Sequence, residues 1–557
     1  MLKKDWWKSS SVYQIYPKSF CDSNGDGIGD IKGIISKLDY IKSLGVDVIW
    51  TTPMYVSPMM DNGCDIADYY NIDPIFGNMN DFEELLKETH KRGMKLIMDM
   101  VINHTSIENF WFKEALKGPE NRYHNYYIWK DGEPNTPPTN WNSKFGGNAW
   151  EFVESLGKYY LHLFDVTQAD LNWENPELRK DIYKMINFWL EKGVDGFRLD
   201  VINLISKEQS FLNDDYKTAT SDGRKFYTDG PRVHEFLKEL TANTFGKHPG
   251  SLTVGEMSST TIPHCIEYTK PENEELSMVF NFHHLKVDYP NGDKWALGKM
   301  DFAALKELLF KWQLEMQKGD GWSAVFWCNH DQPRIVSRFG SEKYLKESAK
   351  MLATAIHMLR GTPYIYQGEE IGMINPHFET IEEYRDVESL NNYKILLQKG
   401  KTVEEAIAIL DQKSRDNSRT PVQWTNSLNA GFSKGTSWID ISKNYEDINV
   451  DNSLNDLDSV FYHYKKLIEL RKNYKVISHG IFAPMYENNS KIFGYTRQLN
   501  DEKLLVVNNF YEAETEIEIP EEFVGKTVLI GNYKETLLTN KILKLRAYES
   551  IVILSKV

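Results

Sequence analysis

The sequence has few cysteines, no long apolar run and no excess of basic residues, and each absence excludes a class of protein. Four cysteines occur in 557 residues, without CxxC spacing, so we expect free thiols in a reducing cytoplasm rather than a disulfide scaffold. No stretch approaches the roughly 20 apolar residues of a membrane span. The first residues also lack the apolar segment of a secretory signal. These absences predict a cytoplasmic protein without a membrane partner.

The charge balance excludes another group of partners. The formal net charge is −15 at pH 7, which argues against nucleic acid and anionic membranes. An anionic substrate would therefore need a local group of cations. Hydrophobic residues make up 41% and charged residues 26% of the chain, as in soluble globular proteins, and the length allows roughly three or four domains. We expect a monomer that acts on a small molecule.

Strand and helix patterns alternate along the first part of the chain. Residues 11–16, 46–50 and 95–101 have the apolar pattern of strands, and residues 31–44 place apolar side chains on one face of a helix. This rhythm is typical of parallel sheets and barrels, and we predict an α/β fold, a (β/α)8 TIM barrel. Further strand patterns of the barrel lie at 194–201, 251–256, 323–331 and 362–370.

Three stretches depart from this rhythm. Residues 105–171 are rich in Trp, Asn, Pro and Gly and predict an inserted loop-rich domain after strand 3. The polar residues 375–450 predict an irregular segment after strand 8, and alternating stretches near the end predict an antiparallel β-domain, a sandwich. The predicted boundaries are 1–104 and 172–476 for the barrel, 105–171 for the inserted domain and 477–557 for the C-terminal domain.

The strand pattern at 194–201 carries the first candidate for chemistry. Arg198 and Asp200 are two residues apart, so their side chains share one face of the strand. A cation beside a carboxylate favours the ionised form and keeps it ready as a nucleophile. An isolated pair of this kind is more often structural than catalytic.

Other strand patterns end in polar residues of the same kind. His104 follows the third strand, Glu256 ends the fifth, and His330 and Asp331 end the seventh. The residues that follow the strands of a (β/α)8 barrel meet at one face, so these side chains are expected to lie together. Two carboxyl groups flanking a glycosidic bond can hydrolyse it, and a separation of about 5–5.5 Å gives retention.

The surroundings of each acid predict its role. Asp200, beside Arg198, is expected to be the nucleophile. Glu256 has no cation near it in the sequence, so an apolar and carboxylate-rich setting would raise its pKa, as an acid catalyst requires. Asp331 would hold sugar hydroxyls and stabilise the charge of the oxocarbenium ion. His104 and His330 are expected to bind hydroxyls without titrating during the reaction.

A loop rich in Asp and Gly at residues 22–30 predicts a metal site. Oxygen-bearing side chains stand at every second position, a spacing that suits a hard cation such as Ca²⁺. The order is similar to that of an EF-hand loop without its final Glu. A turn rich in Gly and Asp is the alternative.

Four segments carry a resemblance to a known family. Residues 99–104, 196–200, 255–256 and 329–331 read DMVINH, GFRLD, GE and NHD. In this order and spacing they resemble the four motif regions of the α-amylase superfamily, glycoside hydrolase family 13. The resemblance implies a retaining hydrolase that forms a covalent glucosyl-aspartate. The loop at 22–30 resembles the family's metal loop, which implies a structural Ca²⁺, or Mg²⁺, bound by Asp22, Asn24, Asp26, Asp30 and the carbonyl of Ile28.

Longer segments resemble one branch of this family. Residues 254–260, 281–290, 326–334 and 414–421 are similar to the branch that hydrolyses a phosphorylated α,α-1,1-linked disaccharide. The resemblance implies cleavage of trehalose 6-phosphate to glucose and glucose 6-phosphate. An oligo-1,6-glucosidase, another α-glucosidase or a trehalulose-type isomerase remains the alternative, because these enzymes share the acids. A non-catalytic relative is disfavoured because the chain keeps all of the acids.

Contacts outside the acids are expected to decide the specificity. The resemblance implies that Asp61 and Arg419 clamp the terminal 4-hydroxyl and make the enzyme exo-acting. Lys286 and Lys294 follow Glu256 in barrel order, and lysine suits a phosphate dianion, although ordinary solvated lysines are the alternative. Cys64 departs from the family, which usually has a Tyr there that stacks on the glucose; losing this ring costs about 1 kcal/mol or more unless another aromatic compensates.

Overall fold

The structure is a computed structural model that describes residues 5–218, 221–536, 538 and 540–556. Its centre is a parallel sheet of eight strands in the order β6-β5-β4-β3-β2-β1-β8-β7. A parallel bridge between Val279 and Ser323 joins the two edge strands, which closes the sheet into the predicted barrel. The strands are β1 Val12–Ile15, β2 Val48–Thr51, β3 Lys95–Met100, β4 Gly196–Leu199, β5 Leu252–Glu256, β6 Met278–Phe280, β7 Ala324–Val325 and β8 Thr362–Tyr366.

Helices connect these strands and cover the outside of the barrel. The helix Pro176–Glu191 shows why they form, because Asn175 caps it, proline occupies its first turn, and its apolar side chains are buried. None of the helices in the described ranges is long and apolar enough to cross a membrane. The connecting helices are Ile31–Ser36, Leu38–Leu44, Met79–Lys91, Pro176–Glu191, Val233–Asn243, Ile262–Thr269, Phe302–Lys318, Ile335–Phe339, Leu345–His357, Val460–Asn473 and Lys475–His479.

Long excursions leave the barrel at the ends of its strands. The hairpin Tyr55–Val56 and Asp68–Ile72 follows β2, and the stretch after β3 holds the helix Phe110–Ala115 and a three-stranded antiparallel sheet. The prediction of an irregular segment at 375–450 is wrong in part. It contains the helices Val387–Gln398 and Val403–Lys413, and the helix Val450–Asn455 begins at its last residue. The strands after β3 are His104–Ser106, Trp129–Asp131, Trp150–Val153, Lys158–Leu161 and Gln168–Asp170.

The C-terminal part is an antiparallel β-domain, as predicted. Five strands form one sheet in the order β9-β10-β11-β15-β13, and β12 pairs with β14. Apolar residues between the two sheets form a separate core, whereas the opposite face of the larger sheet belongs to the same core as the barrel. The strands are β9 Ile481–Met485, β10 Ile492–Leu499, β11 Glu502–Asn509, β12 Thr515–Glu518, β13 Thr527–Gly531, β14 Ile542–Leu545 and β15 Ser550–Lys556.

Candidate active site

Arg198 on β4 is the cation that three carboxylates share. Its Nη1 donates to Asp99 at 2.8 Å and to Asp200 at 2.6 Å, and its Nη2 lies 2.6 Å from Glu256. β3 and β5 flank β4 in the sheet, so the barrel itself brings Asp99 and Glu256 to either side of Arg198. The predicted pair of Arg198 and Asp200 is therefore part of a larger group of charges.

Glu256 has no cation near it in the sequence, but the barrel brings Arg198 of the neighbouring strand against it. Burial still raises the pKa of Glu256 well above its usual value; Arg198 opposes this, and Asp200 and Asp331 add to it. Glu256 can therefore hold the proton that a leaving oxygen takes up. Asp200, fixed by Arg198, is free to act as the nucleophile.

The backbone directly after Asp200 is strained. Val201 has a φ of 36°, in the left-handed region that β-branched residues rarely adopt. In this conformation its N–H donates to Glu256 at 3.2 Å. The turn thus fixes the nucleophile on one side and holds the acid on the other.

Asp331 lies just beyond β7, in a setting rich in cations. Arg419 donates to it at 2.6 Å, and Arg415 and His330 approach it at 3.4 Å. Burial would raise the pKa of Asp331, but His330 and the two arginines lower it well below its usual value. The pKa of His330 falls to about 4, chiefly through burial, and Gln14 contacts its Nδ1 at 2.8 Å. Asp331 is thus an anion beside a neutral imidazole.

Arg415, and not the predicted Arg419, is the arginine that pairs with Asp61 in the structure. Arg415 lies 2.8 Å from Asp61, whereas Arg419 donates to Asp331 and to the main-chain oxygen of His330. Both arginines belong to the same predicted segment, 414–421, four residues apart. Burial raises the pKa of Asp61 to about 7 against the effect of Arg415 and Arg419.

His104 lies close to Asp61, because Gln168 contacts both side chains. Its Nδ1 contacts Asn103 at 3.1 Å, its Nε2 lies 3.4 Å from Gln168, and burial lowers its pKa. Gln168 also donates to Asp61 at 3.1 Å. The ring of Phe164 packs 5.0 Å from His104, centroid to centroid. The inserted stretch after β3 therefore supplies both an amide and an aromatic ring to the site.

Cys64 is half-buried among the same carboxylates. Burial raises the pKa of its thiol well above the usual value, and the negative charges of Asp61 and Asp200 add to this. The thiol is therefore protonated. It is also smaller than the tyrosine side chain that the family usually has at this position. Two aromatic rings pack on the histidines of the site, Phe164 on His104 and Tyr16 on His330, the latter stacked at 6.0 Å.

Four basic side chains, Lys144, Arg224, Lys286 and Lys294, form a cationic group. Arg224 and Lys286 lower the pKa of Lys144, which burial already lowers, to about 8. Lys286 is an exposed residue, and its pKa is also lowered to about 8, by desolvation first and then by Arg224 and Lys294. Lys294 is paired with Glu388 at 2.7 Å, and Arg224 with Asp222. Lys144 and Lys286 form no ion pair within 4 Å among the described residues, although the charges of Asp222 and Asp170 act on Lys144.

The loop at residues 22–30 is tightly hydrogen bonded. Asp22 accepts from the main-chain N–H of Asn24 and of Gly25, Asn24 from Asp26, and Asp26 from Ile28. Asp30 instead accepts from Ser23 and caps the helix Ile31–Ser36. Across the described ranges, no three His, Cys, Asp or Glu side chains converge as metal ligands.

Sequence reasoning missed several residues of this site. Arg415 stood inside a recognised segment, and its pairing needed the geometry rather than a further motif. Lys144 lies in the inserted stretch and Arg224 in the long loop after β4, and neither carries a local signal. The other missed contributors are Asp99, Phe164, Gln168, Asp386 and Glu388.

Comparisons with known proteins agree with this geometry. The family described as "Alpha amylase, catalytic domain" matches residues 14–480, and "Alpha-amylase SusG C-terminal domain" matches 492–552. The trehalose-6-phosphate hydrolase of Bacillus subtilis is 57% identical over 98% of both chains, and the oligo-1,6-glucosidase of Parageobacillus thermoglucosidasius is 51% identical over 96% of this chain and 95% of its own.

A solved structure extends the similarity to three dimensions. The trehalose-6-phosphate hydrolase of Bacillus licheniformis is 61% identical, and its crystal structure superposes with a TM-score of 0.94 over 99% of this chain and 100% of its own. The closed barrel, the acids that Arg198 joins and these matches lead to the same conclusion: the chain belongs to the α-amylase family.

Proposed function

We propose that this chain is a retaining, exo-acting α-glycoside hydrolase that cleaves trehalose 6-phosphate to glucose and glucose 6-phosphate. The observation that carries the proposal is the cationic group, in which Lys144 and Lys286 form no ion pair in the described part of the chain. On a protein of net charge −15, such a group is suited to a phosphate dianion. Hydrolases of trehalose 6-phosphate among the relatives support the same substrate.

The acids act in two steps. Asp200 attacks the anomeric carbon while Glu256 donates its proton to the bridging oxygen, so glucose 6-phosphate leaves and a glucosyl ester of Asp200 remains. Glu256, now ionised, then takes a proton from water, whose oxygen attacks the anomeric carbon and releases glucose. Arg198 contacts both acids, at 2.6 Å each, and stabilises the negative charge as it moves between them.

The glucose side explains exo action. Asp61 and Arg415 form a buried pair that can bind a terminal hydroxyl. Asp331, held as an anion, can bind further hydroxyls and stabilise the positive charge that develops on the sugar ring. His104 and His330, both with lowered pKa values, remain neutral and serve as hydrogen-bonding groups.

Turnover of trehalose 6-phosphate beside trehalose and isomaltose tests the proposal directly. We expect trehalose 6-phosphate to have by far the highest kcat/KM and to yield glucose and glucose 6-phosphate in equal amounts. An oligo-1,6-glucosidase, which the 51% identical relative is, would prefer isomaltose. An isomerase would release a rearranged disaccharide in place of two monosaccharides. Either result would overturn the proposal.

Lysine variants test the assignment of the phosphate. Lys144→Ala and Lys286→Ala each remove one unpaired cation, so we expect KM for trehalose 6-phosphate to rise about tenfold while kcat/KM for an aryl α-glucoside stays the same. Lys294→Ala is expected to act in the same direction. Lys299→Ala, an exposed lysine of the same loop, is the matched control. An unchanged KM in the first two variants would contradict the assignment.

We also propose that the loop at residues 22–30 binds a structural Ca²⁺, or Mg²⁺. Its fit is supported by Asp22, Asn24 and Asp26, whose side chains fold onto successive main-chain N–H groups as in cation-binding loops, with Asp30 and the carbonyl of Ile28 completing the set. The ion would tie the loop together without taking part in the reaction. Added Ca²⁺ should raise the Tm of chelator-treated protein, and Asp26→Ala should abolish the rise. An unchanged Tm would contradict the site.

The chain is further proposed to work as a monomer in the cytoplasm. All four cysteines are free thiols, and Cys21, Cys265 and Cys328 are buried, as suits a reducing compartment. Light scattering of the purified protein should give the mass of one chain. Cell fractionation should recover the activity with cytoplasmic markers.

A further inference from the structure

Lys294 is already paired before any substrate arrives. Its Nζ lies 2.7 and 2.8 Å from the two oxygens of Glu388. The Glu388 side chain is 9% exposed and that of Lys294 is 26% exposed, so the pair is largely shielded from solvent. A substrate phosphate that uses Lys294 must therefore compete with the Glu388 carboxylate.

Glu388 also reaches the glucose side of the active site. One of its oxygens lies 3.4 Å from Nε of Arg415. Arg415 in turn lies 2.8 Å from Asp61 and 3.4 Å from Asp331. Glu388 thus contacts both Lys294 of the cationic group and Arg415, which contacts Asp61 and Asp331.

A helix start keeps Glu388 in this place. Glu388 is in the first turn of the helix Val387–Gln398, and the carboxylate of Asp386 caps this helix through the main-chain N–H of Ser389. Asp386 also accepts from Arg415 at 2.5 Å. The two carboxylates are therefore fixed on one rigid element, and Arg415 is held between them.

We propose that Glu388 is a positioning residue that couples recognition of the phosphate to the glucose side of the site. The inference rests on the proposed function, because it needs a phosphate at Lys294. When the phosphate takes Lys294, Arg415 is the remaining cation paired with Glu388 in the described ranges. That pair shortens, and Arg415 is fixed against Asp61 and Asp331. With an unphosphorylated substrate, Glu388 stays paired with both Lys294 and Arg415.

The arrangement has two measurable consequences. The negative charge of Glu388 opposes the phosphate, so it weakens the binding of glucose 6-phosphate and helps this product to leave. The same charge, once released from Lys294, gives phosphorylated substrates an advantage in kcat and not only in KM. A residue that merely supported the fold would change neither the affinity for the product nor the ratio of the two kcat values.

Glu388→Gln separates these effects. Its Ki for glucose 6-phosphate is expected to fall about fivefold, as removal of one nearby like charge predicts. The ratio of kcat for trehalose 6-phosphate to kcat for p-nitrophenyl α-glucoside is expected to fall by a similar factor. Glu404→Gln, which removes an exposed charge from the start of the neighbouring helix Val403–Lys413, should leave both quantities unchanged.

A conservative variant guards against loss of folding. Glu388→Asp keeps the charge but withdraws it, so both quantities should shift in the same direction by less. An unchanged or weaker affinity for glucose 6-phosphate, or an equal fall in kcat for both substrates, overturns the inference. Failure of the proposed function looks different, since the wild type would then show no preference for trehalose 6-phosphate and no inhibition by glucose 6-phosphate.

Discussion

Glu256 keeps a raised pKa although a guanidinium lies 2.6 Å away. Burial and two neighbouring carboxylates outweigh the cation, so the protonated form persists toward higher pH, and activity should be lost as the pH rises through this pKa. Glu256→Gln removes the proton donor, and we expect kcat for trehalose 6-phosphate to fall by about 10²- to 10⁴-fold. A pH–rate profile checks this, because the fall at high pH should disappear in the variant.

The leaving group supplies the control for Glu256. A p-nitrophenyl α-glucoside leaves as a stable anion and needs little protonation, so the formation of its glucosyl-enzyme should be slowed far less than with the natural substrate. A variant that slows this step equally for both substrates would show that Glu256 is not the acid.

Arg415 illustrates a single residue with several partners. Its guanidinium lies within 2.8 Å of Asp61, 2.5 Å of Asp386 and 3.4 Å of Asp331. Lysine is a point charge and cannot hold these carboxylates in a fork, so Arg415→Lys should lower kcat/KM by about 10- to 100-fold. Steady-state kinetics measure the effect. Arg385 is an exposed arginine of the loop that precedes the helix Val387–Gln398, and Arg385→Lys should change kcat/KM by less than about twofold.

Residue types and spacing were enough to predict the acids, but not how the cations are shared between them. Asp200, Glu256 and Asp331 follow strands, and a barrel brings strand ends together whatever the intervening chain does. The partners of Arg198 and Arg415 lie on different elements, up to 354 residues apart in the chain. Such pairings depend on side-chain directions across the barrel mouth, which no local pattern encodes.

At the scale of elements, His377 connects the helix Val403–Lys413 to the loop that precedes the helix Leu345–His357. Its Nδ1 lies 3.0 Å from Asp411, in the helix Val403–Lys413, and its Nε2 lies 3.0 Å from Glu342. Hydrogen bonds to Asp411 and Glu342 raise the pKa of His377 to about 10, above the value of about 6.5 expected in the unfolded chain. The protonated imidazole therefore stabilises the folded state, fully below about pH 6.5, and this stabilisation is lost as the pH rises through about 10.

His377→Gln should therefore lower the free energy of unfolding more at pH 6 than at pH 10. Urea denaturation of both proteins at the two pH values measures the difference. His248→Gln, which removes a histidine without an ion pair in the described ranges, should show no such dependence. A destabilisation by His377→Gln that is equal at both pH values would contradict the ionic bridge.

Most elements with a cap and an apolar stripe were predictable. The helix Pro176–Glu191 has a cap, a proline and an apolar stripe, so its bounds follow from the sequence. The helix Val387–Gln398 buries few apolar side chains and was missed for want of a stripe, whereas Val403–Lys413 was missed although Thr402 and Glu405 form a capping box ahead of its apolar residues. The shortest barrel strand, Ala324–Val325, was predicted too long, since the chain beyond it leaves the sheet to carry Asp331.

At the scale of the whole molecule, the barrel and the C-terminal domain share one core. Side chains of β9, β10, β11 and β15 belong to the same apolar cluster as those of the barrel strands. A domain with so much of its sheet in a common core is not expected to unfold alone. The sequence predicted both parts but not the contact between them. An apolar pattern shows that a face is buried, but it does not show which other face it packs against.

Arg497 on β10 is the polar centre of this union. It is fully buried and donates to the main-chain oxygens of Met358, Ile477 and Gly480, each at 2.7 Å. These carbonyls lie at the ends of two barrel helices, where a cation is also favoured by the helix dipole. Methionine would fill a similar volume but leave the buried carbonyls without donors, so Arg497→Met should lower the free energy of unfolding by about 3 kcal/mol or more.

The number of transitions in the unfolding curve tests the shared core, in addition to the change in the free energy of unfolding. Because both parts rest on one cluster, Arg497→Met should still unfold in a single transition in guanidinium, monitored by far-UV dichroism and by tryptophan fluorescence together. Lys526→Met, an exposed residue of the C-terminal domain, should change the free energy by less than about 0.5 kcal/mol. If Arg497→Met instead gives an early, separate transition, the C-terminal domain unfolds independently and its core is not continuous with that of the barrel.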